Sequence, residues 1–386
     1  MSRLREMIHR PYAEPILLTD EDLHSYPYET PLFSLEDFQS LVALEDHLDD
    51  PFETRIEPFS FIDVSNESFA STLRAIRKAI AEWVKRILTW IKENLNLIHR
   101  AIQFHQLVLN NVRVRGKANL STGTITSSPY ITVSGPQQIQ RISVRYVPIQ
   151  NVSKLGVHLE LLTGVATTIY DYVHGPVLRT VKEFTRVLNT TSPDKITPEL
   201  IAQYIPLIDR ASPRHLFSEL RLNNVSGRDS REYYSPQLLN SQRLQLTYDG
   251  DHQSVSGLRS TKLQVVRAEE YRVDYPPSVD VQRFGITVMN EYLKRISKAL
   301  VALNAVTTST KVRDLSSSVS AMGKAADNFY HKFEANPGVI TGKTVDDFVG
   351  LNRTLMQWLD DPYKGIFATH WKVSRGALSL ARKNVN

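Results

Sequence analysis

Leu73-Arg-Ala-Ile-Arg-Lys-Ala-Ile-Ala-Glu-Trp-Val-Lys-Arg-Ile-Leu-Thr-Trp-Ile-Lys-Glu-Asn-Leu-Asn-Leu-Ile-His-Arg-Ala-Ile102 is the stretch on which the reading of the fold turns. Its apolar residues Leu73, Ile76, Ile80, Val84, Ile87, Ile91, Leu95, Ile98 and Ile102 recur at gaps of three or four, averaging about 3.6. That is the period of a straight α-helix; a coiled coil would average about 3.5. Trp83, Trp90, Leu97 and Phe104, spaced by sevens, widen the apolar stripe on one flank. Arg74, Arg77, Lys78, Lys85, Arg86, Lys92 and Arg100 lie mostly on the other side. Extended from Ser68 to Arg113, the pattern predicts a helix of ~45 residues, ~68 Å long. Three uses fit such a helix. It can be a core helix. It can face a nucleic acid, with cations on phosphates and the apolar side turned inward. It can lie at a membrane interface, with Trp on the apolar face.

Upstream of this helix the chain changes character. Residues 1–67 carry 16 acidic and 4 basic side chains, a net charge near −12. The whole chain has 46 Lys+Arg against 41 Asp+Glu, so the remainder, 42 basic against 25 acidic, stands near +17. One part repels polyanions and the other attracts them. Pro11, Pro15, Pro27, Pro31, Pro51 and Pro58 interrupt long helices in the leader, although a short docking helix fits 34–47. Small-x-Glu tripeptides occur there as Ser34-Leu-Glu36, Ala43-Leu-Glu45 and Ser65-Asn-Glu67, the last at the charge boundary. Glu36, Glu45 and Glu67 are therefore candidate cleavage positions, with Glu67 as the final cut of a removable propeptide.

Downstream, Thr124-Ile-Thr, Tyr130-Ile-Thr-Val and the alternation Ile142, Val144, Tyr146 predict β structure. Residues 152–173 return to helical spacing, Gly175-Pro176 punctuates, and a helix continues to Leu188. Thr197 caps a helix over about 198–210. Leu244, Leu246 and Tyr248, then Leu263 and Val265, then Tyr271, Val273 and Tyr275 predict an antiparallel sheet with a long Ser/Gly-rich connection. The last 110 or so residues are helical in pattern: stripes run from Phe284 to Leu300, from Leu315 to Phe333, and from Phe348 to Leu359 after a capping box of Thr344 and Asp347. Asp361-Pro362 is expected to end that helix, and a final one carries Trp371 and the cations Lys372, Arg375, Arg382 and Lys383. The fold class is α+β, predominantly helical, with small antiparallel β elements. The divisions are 1–67, an acidic leader; 68–277, the Trp-bearing basic helix with a mixed body; and 278–386, a helical C-terminal region.

Chemistry is sparse. The chain has no cysteine, which removes thiol nucleophiles, Cys-ligated metals and disulfides. Gly338-Val-Ile-Thr-Gly-Lys-Thr344 has three residues between its glycines where a phosphate loop needs four, and it follows a helix rather than a strand. His99 and His105 are six apart, not the i, i+4 spacing of a ligand pair, and no metal, cofactor or catalytic motif is read. No run approaches 18 apolar residues and the N-terminus lacks an apolar signal core, so neither a span nor a secretory signal is expected.

The layout resembles the inner-head (internal virion) proteins of giant phiKZ-like tailed phages and related large myoviruses. The resemblance rests on Ser65-Asn-Glu67 placed just ahead of Ile80-Ala-Glu-Trp-Val-Lys-Arg-Ile-Leu-Thr-Trp-Ile-Lys92. Ile142-Ser-Val-Arg-Tyr-Val, Leu244-Gln-Leu-Thr-Tyr and a helical C-terminal third follow in order. It implies a non-enzymatic protein assembled in the host cytoplasm with other head and core proteins. A prohead protease would trim it after small-x-Glu, and it would be kept in the virion interior on packaged DNA. Contacts to DNA would be non-specific and salt-sensitive, through Arg74, Arg77, Lys78, Lys85, Arg86, Lys92, Arg100, Lys372, Arg375, Arg382 and Lys383. No small-molecule substrate is implied. Alternatives are a membrane-active or ejected effector using the 71–113 helix, an assembly scaffold or chaperone, and a hydrolase with a dispersed site.

Overall fold

The computed structural model describes residues 69–121, 128–192, 195–225, 229–267, 274–335 and 342–385. All of them belong to one compact unit, Asp63–Asn386. The candidate cleavage residues Glu36, Glu45 and Glu67, the Thr124-Ile-Thr segment and Tyr271 and Val273 lie outside the described residues.

In chain order, α1 (Phe69–Trp90) passes through a π-helical turn, Ile91–Leu95, into α2 (Asn96–Ser121). Then come β1 (Tyr130–Ser134), α3 (Pro136–Arg141) and the short pair β2 (Ser143–Val144) and β3 (Val147–Pro148). α4 (Val152–Tyr172) and α5 (Leu178–Thr190) are joined by a second π-helical turn, Val173–Val177. α6 (Pro198–Asp209) is followed by β4 (Asn223–Asn224), β5 (Glu232–Tyr234) and β6 (Gln242–Thr247). Next are α7 (Val255–Ser260), β7 (Lys262–Arg267) and β8 (Ser278–Gln282). The chain closes with α8 (Ile286–Thr307), α9 (Ser309–Ala335) and α10 (Gly342–Val385). The fold is α+β and predominantly helical.

The helices form four rods. The 44 residues of α10 make a spine roughly 66 Å long. α2 and α4 pack on α8, while α1 and α5 pack on α9, so the other three rods are built in two tiers along it. α10 touches α2, α4, α6, α7, α8 and β7. It is buried over most of its surface: Phe348, Leu351, Leu355, Ile366, Phe367, Trp371 and Ala381 are all at or near zero exposure, and Asp346, Asp361 and Lys383 reach solvent. A helix clad over most of its surface no longer shows an amphipathic stripe. Asn352, Thr354, Thr369, His370 and Ser374 on it are buried too. These five therefore read in the sequence as part of a solvent face that they do not reach.

Pro362 does not end this helix, contrary to expectation. An interior proline costs about 3 kcal/mol. Trp358, Leu359, Tyr363 and Ile366 around it are buried at 0–2% exposure, and packing of that extent outweighs the cost. Gly175-Pro176 likewise bends no chain away; it sits in the π-helical turn between α4 and α5. Thr344 lies inside α10 and is not its cap.

The irregularities of the rods fall at one height. Trp90, just before the first π-helical turn, packs edge-on against Tyr363 and Phe367 at 5.9 and 6.0 Å. His174, in the second, reaches the Tyr363 hydroxyl at 3.1 Å. His99 Nδ1 and Thr307 Oγ1, next to the joint at Thr308, are 3.1 Å apart. Pro362 adjoins Tyr363. The cluster of Trp90, Tyr170, Tyr363 and Phe367 fills this waist.

The β elements flank the spine. β4-β5-β6-β7 form an antiparallel sheet, with Leu244 opposite Val265 and Leu246 opposite Leu263. The connection between β6 and β7 contains α7, whose Ser254 accepts from the Gly257 amide. β7 lies against α10 because Gly365 has no side chain: a Cβ there would stand 2.8 Å from Val265 Cγ2. β1 pairs with β8, Ile131 opposite Val281 and Thr132 opposite Asp280. The alternation Ile142, Val144, Tyr146 does not form one strand. Arg145 and Tyr146 both have positive φ, 51° and 64°, a tight turn between β2 and β3. The Tyr146 amide donates to Ser241 Oγ at 2.7 Å and steadies it.

Candidate polyanion-binding surface on the first helix

The stripe that predicted the first helix faces inward. Ile80, Trp83, Ile87, Ile91, Leu95, Ile98 and Ile102 are all buried, and the period crosses the π-helical turn without a gap. The turn itself is closed by Asn94, whose Nδ2 donates to the Trp90 carbonyl at 3.0 Å. Burial of the apolar side fixes the other side outward. Arg74, Lys78, Lys85, Arg86, Lys92 and Arg100 are exposed, and the acidic residues among them, Glu82 and Glu93, are only two. Arg74, Lys78, Lys85 and Lys92 follow one another at spacings of four, seven and seven. Those spacings return nearly to the same side of a helix, so they form a row. Seven residues rise about 10 Å. Arg77 is turned toward α9 instead, where its Nε donates to Asp327 Oδ1 at 2.9 Å.

The C-terminal cations are not part of this row. Arg375 is 6% exposed, with its guanidinium 5.9 Å from the Trp371 ring centroid. Its place in the core corrects the expectation of a phosphate contact, and the cause is the burial of α10 from Val373 to Leu378. Lys372 and Arg382 are half-buried. Lys383 is exposed and donates to the Thr132 carbonyl at 3.3 Å. The end of α10 meets the end of α2, with Asn119 Nδ2 donating to the Val385 carbonyl at 2.7 Å. Exposed Arg115 and Lys117 stand near that end. The cations thus fall into two groups on different elements, and only the α1 group is a row on one helix. Arg115 and Lys117 were not singled out in the sequence; Gly116 between them lies against Val385, where a Cβ would stand 3.4 Å from Val385 Cγ1.

Between α1 and α9 runs a groove of ≈ 520 Å³, lined by Ala81, Val84, Lys85, Leu88, Thr89, Lys92, Ser320, Gly323, Lys324 and Asp327. Lys85 and Lys92 bring the cationic row to its edge, and Lys324 of α9 adds a cation the sequence did not mark. Gly323 lets the helices approach, since a Cβ there would be 2.6 Å from Val84 Cγ2.

A second polar cluster centres on a buried histidine. His370 is 0% exposed; its Nε2 is 3.3 Å from Thr163 Oγ1 and its Nδ1 3.1 Å from the Tyr170 hydroxyl. Burial pushes its imidazole down to about 3, and burial with the nearby Lys311 charge pushes His174 down to about 4. Burial raises the Tyr170 and Tyr363 hydroxyls. Desolvation favours the neutral form of each group, so this is an uncharged network that joins α4 to α10. His105 is separate, with Nδ1 2.7 Å from the Ala101 carbonyl and the ring edge-on to Trp371.

Among the described residues no group of three or more His, Asp or Glu side chains could hold a metal ion. Among them, too, no helix is long and apolar enough to cross a membrane. Comparison with protein families, with curated proteins and with solved structures finds no match to this chain.

Proposed function

We propose that this chain is a non-enzymatic internal virion protein of a large tailed phage. In this reading it is made as a precursor and cut after Glu67 by a prohead protease. Its basic body is then kept in the head on packaged DNA, which it binds without regard to sequence. The observation that carries the binding part is the exposed row Arg74, Lys78, Lys85 and Lys92 on a helix whose residues Ile80, Trp83, Ile87 and Ile91 are buried in the core. A membrane-interface helix needs a free apolar face, and here Trp83, Ile87 and Ile91 are buried, which favours the phosphate reading. Cleavage would take the net charge from +5 to about +17 by the residue counts, turning a weak polyanion ligand into a strong one.

The test is duplex DNA binding against salt, on the full chain and on the product that begins at Ser68. Affinity should fall log-linearly with salt and be the same for unrelated sequences. Replacing Lys78, Lys85 and Arg100 together by Glu should weaken binding at least tenfold and lower the salt slope by about 3. Unchanged binding in that triple variant, or preference for one sequence, refutes the reading. The processing part has its own check: mass spectrometry of mature particles should find a peptide that begins at Ser68, and intact sequence across Glu67 in particles would count against it.

A further inference from the structure

We infer that the groove between α1 and α9 is the docking site of an acidic amphipathic helix from a partner protein. Its floor is apolar and low, made by Ala81, Val84, Leu88 and Gly323. Two side-by-side helices whose facing residues are small leave a valley into which ridges of a third can pack. From Ala81 to Lys92 the groove follows 11 residues of helix axis, about 16 Å or three turns. That is the length over which anchors at i, i+3 or i+4 and i+7 are presented. The volume of ≈ 520 Å³ takes a few aliphatic side chains.

Charge selects the sign of the occupant. Lys85 and Lys92 stand on one rim and Lys324 on the other. Asp327, the one carboxylate among the described lining residues, is already held by Arg77 at 2.9 Å. A helix with acidic flanks meets ammonium groups on both sides, and a basic one is repelled. Thr89 and Ser320 add hydroxyls to the lining. Nucleic acid uses the rims but not the floor. Among the described residues that line the groove there is no aromatic ring on which a base could stack, and aliphatic side chains offer nothing to a sugar–phosphate chain. Lys85 and Lys92 belong to both surfaces, so the partner helix and DNA exclude each other there. The docking site does not depend on DNA binding being real.

The experiment uses the full chain and a synthetic helical peptide with leucines at i, i+3, i+7 and i+10 and glutamates on both flanks, followed by fluorescence anisotropy. A peptide of the same composition with the leucine stripe scrambled is the control. The designed peptide should bind and the scrambled one should not. Ala81→Trp, at an exposed position, plugs the floor without altering charge and should weaken peptide binding at least tenfold with helicity and DNA affinity retained. Lys85→Glu with Lys324→Glu should weaken it by about tenfold and more at low salt. Equal binding of the scrambled peptide, or no effect of Ala81→Trp, would show attraction by surface charge alone and overturn the inference. Loss of DNA binding in Ala81→Trp with peptide binding intact would place nucleic acid in the groove and overturn it as well. Absence of DNA binding with peptide binding intact would defeat the functional reading and leave this one standing.

Discussion

The stability difference between the wild-type chain and His370→Gln should shrink by about 3 kcal/mol as pH falls from 6.5 to 4. His370 is fully buried and titrates at about 3 in the folded state, against an ordinary value near 6.5. The folded value lies below the unfolded one, so the contribution of neutral His370 is complete above pH 6.5. It is lost as pH falls toward 3, because the unfolded chain takes up the proton first. Each unit over which only the unfolded state is protonated is worth ~1.4 kcal/mol. Glutamine cannot be charged, so the variant lacks this loss even though it starts lower for want of the Thr163 and Tyr170 contacts. Comparing the two chains matters. Asp361, pushed up to about 6 by burial and the Asp360 charge, titrates in the opposite sense in both and cancels. Urea unfolding at pH 7, 5.5 and 4 measures the gap; a gap independent of pH contradicts a neutral, buried imidazole.

Removal of Trp358 should be the most damaging single change in the chain's interior. Its side chain is 1% exposed and its Nε1 donates to the Thr261 carbonyl at 2.7 Å. It thereby fastens the spine to the segment between α7 and β7. Trp358→Ala leaves a cavity worth ~4 kcal/mol and strips a buried carbonyl of its donor at a further ~1 kcal/mol. A fall in melting temperature of about 10 °C follows. Trp358→Phe keeps most of the volume and loses the bond, so its cost should be about 1–2 kcal/mol. Calorimetry on the three chains separates packing from the hydrogen bond. Equal damage from Ala and Phe would mean that volume is not what the position supplies.

Where one face of an element meets solvent, its residues could be read in order. The α1 stripe is the clearest case: Ile80, Trp83, Ile87, Ile91, Leu95, Ile98 and Ile102 are buried and Val84 and Trp90 half-buried, and the cations opposite are outside. Thr197 caps α6 as its position suggested, accepting from the Leu200 amide. The pairing of β6 with β7 also follows from Leu244, Leu246, Leu263 and Val265. What could not be read was whatever depends on three or more elements at once. α10 alternates polar and apolar residues like a surface helix, and only the surrounding rods make Arg375 and His370 internal. β8 was missed although Val279 and Val281 alternate, because five residues carry little signal until β1 is placed beside them. Lys324 sits in a stripe that looked like core spacing alone; its role in the groove appears once α1 lies against α9.

The waist of the bundle has a mechanical meaning. A bundle of helices resists bending because each backbone hydrogen-bond ladder is continuous along its length. Here two ladders pass through π-helical turns, one is divided at Thr308, and the spine carries Pro362, which has no N–H to give. Because these faults share one height, compliance is not spread along the rods but gathered in a single plane. Above and below that plane the tiers are stiff bodies. A load that bends the molecule is therefore expected to change the angle between the tiers. Neither the α1 row nor the groove beside it has to distort when that angle changes, since nearly all of both lies on the same side of the plane.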